Sequence, residues 1–141
     1  MAAKLLQHAL AAEDEPLNQI AVESAGVSAA ANEPASENSV AALKKVNIDL
    51  SQHKSQPVTQ ALIDRAFVIL GMTGSHLETL KFFNYSNLPE HIHLFREFID
   101  AGKQTQIPDP FGQNFEAYQA CFDSMLEAVP SLVTFLKKIY K

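Results

Sequence analysis

The sequence predicts an α/β fold of three layers, in which helices cover a mostly parallel sheet. Two observations support this class. Short apolar runs alternate along the chain with longer stretches whose apolar residues recur at helical spacing. The run from Phe67 to Leu70 is continuously apolar, which is typical of a central strand covered on both faces in a parallel sheet. Because 141 residues suffice for one such domain but not for two, we expect a single domain over residues 1–141.

The N-terminal part of the chain is predicted to form a helix and then a short strand. Leucines and alanines recur at helical spacing from Ala2, and the pattern ends at the turn Glu13–Pro16. Ile20 and Val22 then alternate with less apolar neighbours. This alternation predicts a short strand that ends at the glycine turn of Gly26.

The middle of the chain is predicted to begin with a loop over residues 27–34, which are small and polar. A second helix is expected from Val40 to about Asn47. Thr59 is a suitable cap for a short helix over residues 61–63. The strand at Phe67–Leu70 follows.

The C-terminal half is predicted to contain two helices and one strand. Ser75, with Glu78 three residues later, resembles a capping box at the start of a helix. Residues 92–95 suggest a further strand, and a loop follows it. Apolar residues recur at helical spacing from Phe115 to the C-terminal region, which predicts a long helix with a kink at Pro130.

Composition excludes several classes of partner. A net charge of -5 with 11 Lys and Arg provides no basic surface for nucleic acid. A single cysteine cannot form an internal disulfide, and the N-terminal residues lack the pattern of a signal peptide, so a cytoplasmic location is expected. The longest apolar stretch, Ala66–Met72, is much shorter than the roughly 20 residues that span a bilayer. We therefore expect neither a nucleic-acid nor a membrane partner.

Four phrases in the sequence carry a resemblance to a known family. They are Glu23–Val27, Leu43–His53, Leu70–His76 and Ile107–Gly112, the last followed by Phe115 and Tyr118. In this order they resemble the low-molecular-weight phosphotyrosine protein phosphatase family, in the bacterial branch that includes arginine phosphatase-like and arsenate reductase-like members. The resemblance covers nearly the whole chain and implies the family's three-layer fold with a parallel sheet. It also implies hydrolysis of phosphomonoesters.

The same resemblance places the start of the sequence after an important family segment. Met1–Ala3 correspond to residues that follow a loop of cysteine, five residues and arginine. We therefore expect the family's central first strand and phosphate loop to be absent, through a start codon assigned too far downstream or a truncated gene. Two sheet edges would then be exposed, at Ile20–Val22 and at Phe67–Leu70, and the chain could self-associate through them.

Asp109 is the candidate catalytic residue. By resemblance it is the general acid that protonates the leaving group, on a loop shaped by Pro110. The alternative is that Asp109-Pro110 only forms a turn, because both residue types favour turns.

Phe111 and His53 are candidates for the substrate pocket and for loop support. By resemblance Phe111 lines the pocket, although an aromatic residue beside Pro and Gly could equally cover the core. By resemblance His53 holds the active-site loop through a hydrogen bond, and the alternative is a solvated loop histidine.

The remaining reactive side chains suggest structural roles. Cys121 lies at helical spacing from Tyr118 and Met125, which predicts a semi-buried core position rather than a nucleophile. Arg65 and Arg96 follow no phosphate-binding loop, so we expect salt bridges or surface positions for both. The five histidines lack the spacing of metal ligands, so neither a metal nor a cofactor is expected.

The sequence thus predicts a phosphatase-family hydrolase whose complete form acts on phosphorylated protein or small aryl phosphates. The chain as given is expected to be inactive, because it lacks the nucleophilic cysteine and the phosphate-binding arginine. The alternative is a non-catalytic binding or regulatory module on the same scaffold. A flavodoxin-like nucleotide binder is disfavoured because the chain has no suitable glycine-rich phosphate loop.

Overall fold

The computed structural model of the protein describes residues 1–26, 32–83 and 85–140. Part of the predicted loop over residues 27–34 therefore lies outside the described residues. The elements, in chain order, are α1 (Ala2–Ala11), a 3₁₀ turn (Leu17–Gln19), α2 (Glu37–Lys44), α3 (Gln60–Arg65), β1 (Val68–Gly71), α4 (Gly74–Phe82), β2 (His91–Leu94) and α5 (Phe115–Ile139).

The long helix α5 organises the core. Its apolar side chains recur every three or four residues, and both α1 and α2 pack against it. The most deeply buried leucines come from four different segments and are Leu10, Leu43, Leu50 and Leu132. Asn114 caps α5 by accepting a hydrogen bond from the backbone N–H of Ala117 at 3.0 Å, and the helix runs through Pro130. The predicted long C-terminal helix is confirmed.

The sheet lies between the helical core and α4. Strands β1 and β2 pair in parallel, with Val68 opposite His91 and Gly71 opposite Leu94. Val68 and Leu70 pack against the cluster formed by α1, α2 and α5. Gly71 lies on the opposite face, where a Cβ atom would come within 2.7 Å of Leu77 Cδ2 in α4. The predicted layering of helix, parallel sheet and helix is therefore present.

The burial predicted for β1 is wrong. Val68, Ile69 and Leu70 are half-buried, and Phe67 is 37% exposed. Within the described residues the sheet contains only β1 and β2, so β1 has a neighbouring strand on one side alone. A strand with one free edge is not enclosed in the way that its apolar sequence predicts.

The strand predicted at Ile20–Val22 is also wrong, because these residues adopt no regular structure. The side chain of Gln7 in α1 provides their hydrogen bonds. Its Nε2 donates to the Ile20 carbonyl at 2.9 Å, and its Oε1 accepts from the Val22 N–H at 2.7 Å. One carboxamide thus supplies the donor and the acceptor that a neighbouring strand would offer.

Two helix starts test the predicted caps. Thr59 accepts a hydrogen bond from the Leu62 N–H at 3.3 Å and begins α3, as predicted. For α4 the predicted cap at Ser75 is wrong, because Thr73 caps the helix by accepting from the His76 N–H at 3.4 Å. Thr73 has the extended backbone of an N-cap, whereas Ser75 already lies in the first helical turn.

No helix in the described part of the chain combines the length and the apolar character needed to cross a membrane.

Candidate functional site

Asp109 lies on the loop that leads from β2 to α5. Its carboxylate Oδ1 accepts a hydrogen bond from the backbone N–H of Phe111 at 3.0 Å, which is an Asx-type turn. The next turn is closed by the Gln113 N–H donating to the Pro110 carbonyl at 2.9 Å, with Gly112 at a positive φ of 78°. The turn predicted as the alternative for Asp109 is thus present, and it leaves the carboxyl group exposed to solvent.

The base of this loop is attached to the sheet and to α4. The buried Ile107 donates its N–H to the Met72 carbonyl at 2.8 Å, directly after β1. Gln106 Oε1 accepts from the Gly74 N–H at 2.9 Å, at the start of α4. These contacts fix the segment immediately before Asp109, so that its carboxyl group has a defined place.

A cleft of about 310 Å³ lies beside Asp109. One wall is the loop Ile107–Pro110, and the other is the first half of α5, including Ala117, Cys121 and Ser124. A small molecule could therefore contact the Asp109 loop and α5 together.

Cys121 is buried in α5, at 8% exposure, as predicted for a core position. Burial raises the pKa of its thiol, an effect that the positively charged amino terminus of α1 opposes and the Asp109 carboxylate reinforces. A raised pKa favours the neutral thiol, whereas a nucleophile requires the thiolate. The only cysteine of the chain therefore lacks the environment of a reactive thiol.

His53 lies at the end of the turn that follows α2, and it is half-buried. Its Nε2 atom is 3.5 Å from Ser24 Oγ, a long hydrogen bond that connects two irregular segments. Partial burial lowers the pKa of His53, and the positive charges of the amino terminus and of Lys4 lower it further. His53 is thus half-buried and within hydrogen-bond distance of Ser24, and its role in supporting a loop stays a prediction.

Of the three candidate residues, Asp109 and Phe111 are joined by a hydrogen bond within one turn, and the structure does not join His53 to them among the residues that it describes. The amino terminus of α1 acts electrostatically on both His53 and Cys121, and Cys121 also responds to Asp109. No hydrogen bond joins His53 to Asp109 in the part of the chain that the structure describes. The Phe111 ring is 81% exposed, so it does not cover the core.

Both arginines form ion pairs, as predicted. Arg65 pairs with Glu23 at 2.8 Å on the surface. Arg96 pairs with Glu127 at 3.2 Å but is itself buried, at 6% exposure. The sequence gives only a weak sign of this burial, namely that the apolar residues Leu94 and Phe95 directly precede Arg96.

The described residues contain no group of three or more His, Cys, Asp or Glu side chains placed to bind a metal ion.

Comparison with known proteins identifies the family. The sequence matches the family described as low molecular weight phosphotyrosine protein phosphatase over residues 1–141. It is 32% identical over 127 residues to a protein-arginine-phosphatase of Bacillus subtilis (strain 168), a match that covers 90% of this chain and 82% of that protein. The family match does not confirm the predicted loss of the first strand and phosphate loop.

Solved structures show the same relationship. Vibrio vulnificus Wzb in complex with benzylphosphonate is similar with a TM-score of 0.82 and 27% identity, over 96% of this chain and 88% of that chain. The YwlE arginine phosphatase, solved as a Cys-to-Ser mutant with a phosphorylated active-site serine, is similar with a TM-score of 0.78 and 30% identity. That match covers 97% of this chain and 87% of the other. The sequence match and the shared α/β architecture agree, and the chain belongs to the low-molecular-weight phosphotyrosine protein phosphatase family.

Proposed function

We propose that the chain provides the scaffold and the general acid of a phosphomonoester hydrolase, and that the 141-residue sequence alone does not hydrolyse phosphate esters. One observation carries this proposal. The sole cysteine, Cys121, is buried inside α5. The family's loop has an arginine after five further residues, and Glu127 occupies that position here. The 141 residues therefore contain neither the thiolate nor the arginine that the phosphate loop supplies.

Asp109 is the proposed general acid. Its carboxyl group is exposed beside the cleft, on a loop whose base is fixed by Ile107 and Gln106. In the reaction a cysteine thiolate forms a bond to phosphorus while the bond from phosphorus to the leaving oxygen or nitrogen breaks. Asp109 gives its proton to that departing atom, and water then cleaves the sulfur–phosphorus bond.

Phe111 and His53 have supporting roles in this proposal. The ring of Phe111 is exposed, two residues after Asp109 in the chain, and its assignment to the substrate pocket rests on the family resemblance. His53, with its contact to Ser24, supports the loop near the start of α1. Neither group is expected to exchange protons with the substrate.

The proposed substrate is a phosphorylated protein, with small aryl phosphates as model substrates. The relative from Bacillus subtilis is described as a protein-arginine-phosphatase, and two Ralstonia relatives as probable protein-tyrosine-phosphatases. Both phosphoarginine and phosphotyrosine peptides therefore need to be assayed. The cytoplasmic location stays a prediction.

The test compares aryl phosphate hydrolysis by the purified 141-residue chain and by an extended form, in which a strand and a loop of cysteine, five residues and arginine are fused before Met1. We expect activity in the extended form alone, since it would supply the cysteine and the arginine. Activity in the 141-residue chain would overturn the proposal. Inactivity of both forms would instead favour a non-catalytic module, and sedimentation would then show whether copies of the chain associate.

The role of Asp109 is tested in the extended form. Asp109→Asn keeps the shape of the side chain but cannot donate the proton, and we expect kcat to fall by about 10²–10⁴-fold. Asp100→Asn is the matched control, because Asp100 is an exposed carboxylate in the segment between β2 and the Asp109 turn. An equal effect of both substitutions would rule out a specific role for Asp109.

A further inference from the structure

Arg96 is the only charged side chain classed as buried among the described residues. It follows β2 and lies beside the buried Phe95. An isolated buried charge is strongly unfavourable, so a buried guanidinium persists only where hydrogen bonds satisfy it. The question is what these bonds hold together.

The guanidinium of Arg96 joins the loop before Asp109 to α5. Nε donates to the Gln104 carbonyl at 2.8 Å, and one terminal nitrogen donates to the Ser124 carbonyl at 2.8 Å. The other terminal nitrogen donates to the Glu127 carboxylate at 3.2 Å. The planar fork of arginine suits these separate acceptors, which a lysine could not satisfy together.

Glu127 is held in place by a second cation from the same loop. Lys103 Nζ lies 3.4 Å from the carboxylate oxygen that Arg96 binds. The Lys103 charge, followed by the hydrogen bond from Arg96, holds the pKa of Glu127 below its usual range. A lowered pKa favours the ionised carboxylate, which is the form that pairs with Arg96 and Lys103.

These contacts define the two walls of the cleft. Ser124 belongs to the α5 wall, and Gln104 precedes the segment that forms the opposite wall at Ile107–Pro110. The hydrogen bonds of Gln106 and Ile107 attach the loop to α4 and to the end of β1. Arg96 adds the attachment to α5, through its bonds to Gln104, five residues before Asp109, and to Ser124.

We propose that Arg96 is a positioning residue, which holds the Asp109 loop against α5 so that the acid faces the cleft. The identity of Asp109 as the acid rests on the proposed function. The attachment of the Asp109 loop to α5 through Arg96 does not depend on catalysis.

The test measures local hydrogen exchange in the 141-residue chain for the variants Arg96→Lys and Arg96→Met. The exchange rate of the Phe111 N–H reports the hydrogen bond that this group donates to Asp109 Oδ1. The exchange rate of the Ile107 N–H reports the attachment at the base of the loop. We expect exchange at both amides to become about tenfold faster or more, while amides in α2 and α3 keep their rates. We also expect the carboxyl carbon of Asp109 to change its chemical shift.

Arg65→Lys and Arg65→Met are matched controls, since Arg65 makes its ion pair with Glu23 on the surface. Both variants should leave the exchange rates of the Ile107 and Phe111 amides unchanged. Glu127→Gln provides a milder variant if an Arg96 variant does not fold, because the Glu127 side chain is about half exposed. It should also make exchange at the same two amides faster, but to a smaller extent. Unchanged exchange at the loop, or an increase spread evenly over all elements, would overturn the proposal.

The extended form separates this inference from the proposed function. If Asp109 is the acid, Arg96→Lys should lower kcat with little change in KM, because it misplaces the acid without removing a substrate contact. If Asp109→Asn has no effect there, the proposed acid is wrong. The exchange result for Arg96 would still stand as a statement about the loop.

Discussion

At the scale of single residues, Gln7 shows how one side chain can replace a missing neighbour. Its carboxamide binds the Ile20 carbonyl and the Val22 N–H, which the alternation of the sequence assigns to a strand. The alternation did describe an extended segment, but a strand also requires a partner backbone. A partner strand comes from a distant part of the sequence, so local periodicity does not predict whether one is present.

Replacement of Gln7 by Met should destabilise the fold by about 1–3 kcal/mol, because two partly buried backbone groups lose their hydrogen-bond partner while the side-chain volume is nearly kept. Urea denaturation gives the free energy of unfolding. Gln19→Met is the control, since the exposed Gln19 amide donates to the neighbouring Asn18 side chain at the surface. Equal free energies for the two variants would show that Gln7 does not have this role.

The candidate site illustrates which residue roles a sequence can indicate. The position of Asp109 in a turn followed from the preference of Asp and Pro for turns, and the structure contains that turn. Its proposed acid role came only from resemblance to the family. Arg96 escaped prediction as a positioning residue because its acceptors, Gln104 and Ser124, belong to segments that meet only in the folded chain.

At the scale of elements, helices whose start and apolar face are encoded locally were predicted well. The cap at Thr59 and the long apolar repeat of α5 are examples. The start of α4 was misplaced because Thr73 and Ser75 are both suitable caps. The choice between them depends on the direction in which the chain leaves β1.

Thr73→Ala should lower stability by about 1 kcal/mol, because the His76 N–H loses its side-chain acceptor at the start of α4. Ser75→Ala should change it much less, or raise it slightly, since alanine is the better helix former inside the first turn. Thermal unfolding of the two variants under one condition makes the comparison. A larger loss for Ser75→Ala would restore the cap predicted from sequence.

At the scale of the whole molecule, α5 connects the helical layer. Helices α1 and α2 both contact it, and Arg96 attaches the loop after β2 to its middle. The sequence predicted this helix and its apolar face, but not how far the sheet is enclosed. Burial of β1 depends on what lies beside its second edge, and an apolar run reports only the side chains of the strand itself.

The central place of α5 predicts a large effect of shortening Leu132, which has 0% exposure. Leu132→Ala should lower the free energy of unfolding by about 2–5 kcal/mol, because it removes buried methyl groups and leaves a cavity between packed helices. That loss is a large fraction of the roughly 5–15 kcal/mol that stabilises a typical domain. Leu126→Ala on the same helix should cost about 1 kcal/mol or less, since Leu126 is 47% exposed.

Urea denaturation followed by circular dichroism and by tyrosine fluorescence measures both variants with two probes. Circular dichroism reports all helices, whereas tyrosine fluorescence reports Tyr85, Tyr118 and Tyr140, of which Tyr118 is buried in α5. If α5 joins the fold into one cooperative unit, the two probes should give coincident transitions, and both should shift together in Leu132→Ala. Separate transitions, or equal losses for Leu132 and Leu126, would mean that the layers around α5 unfold independently of it.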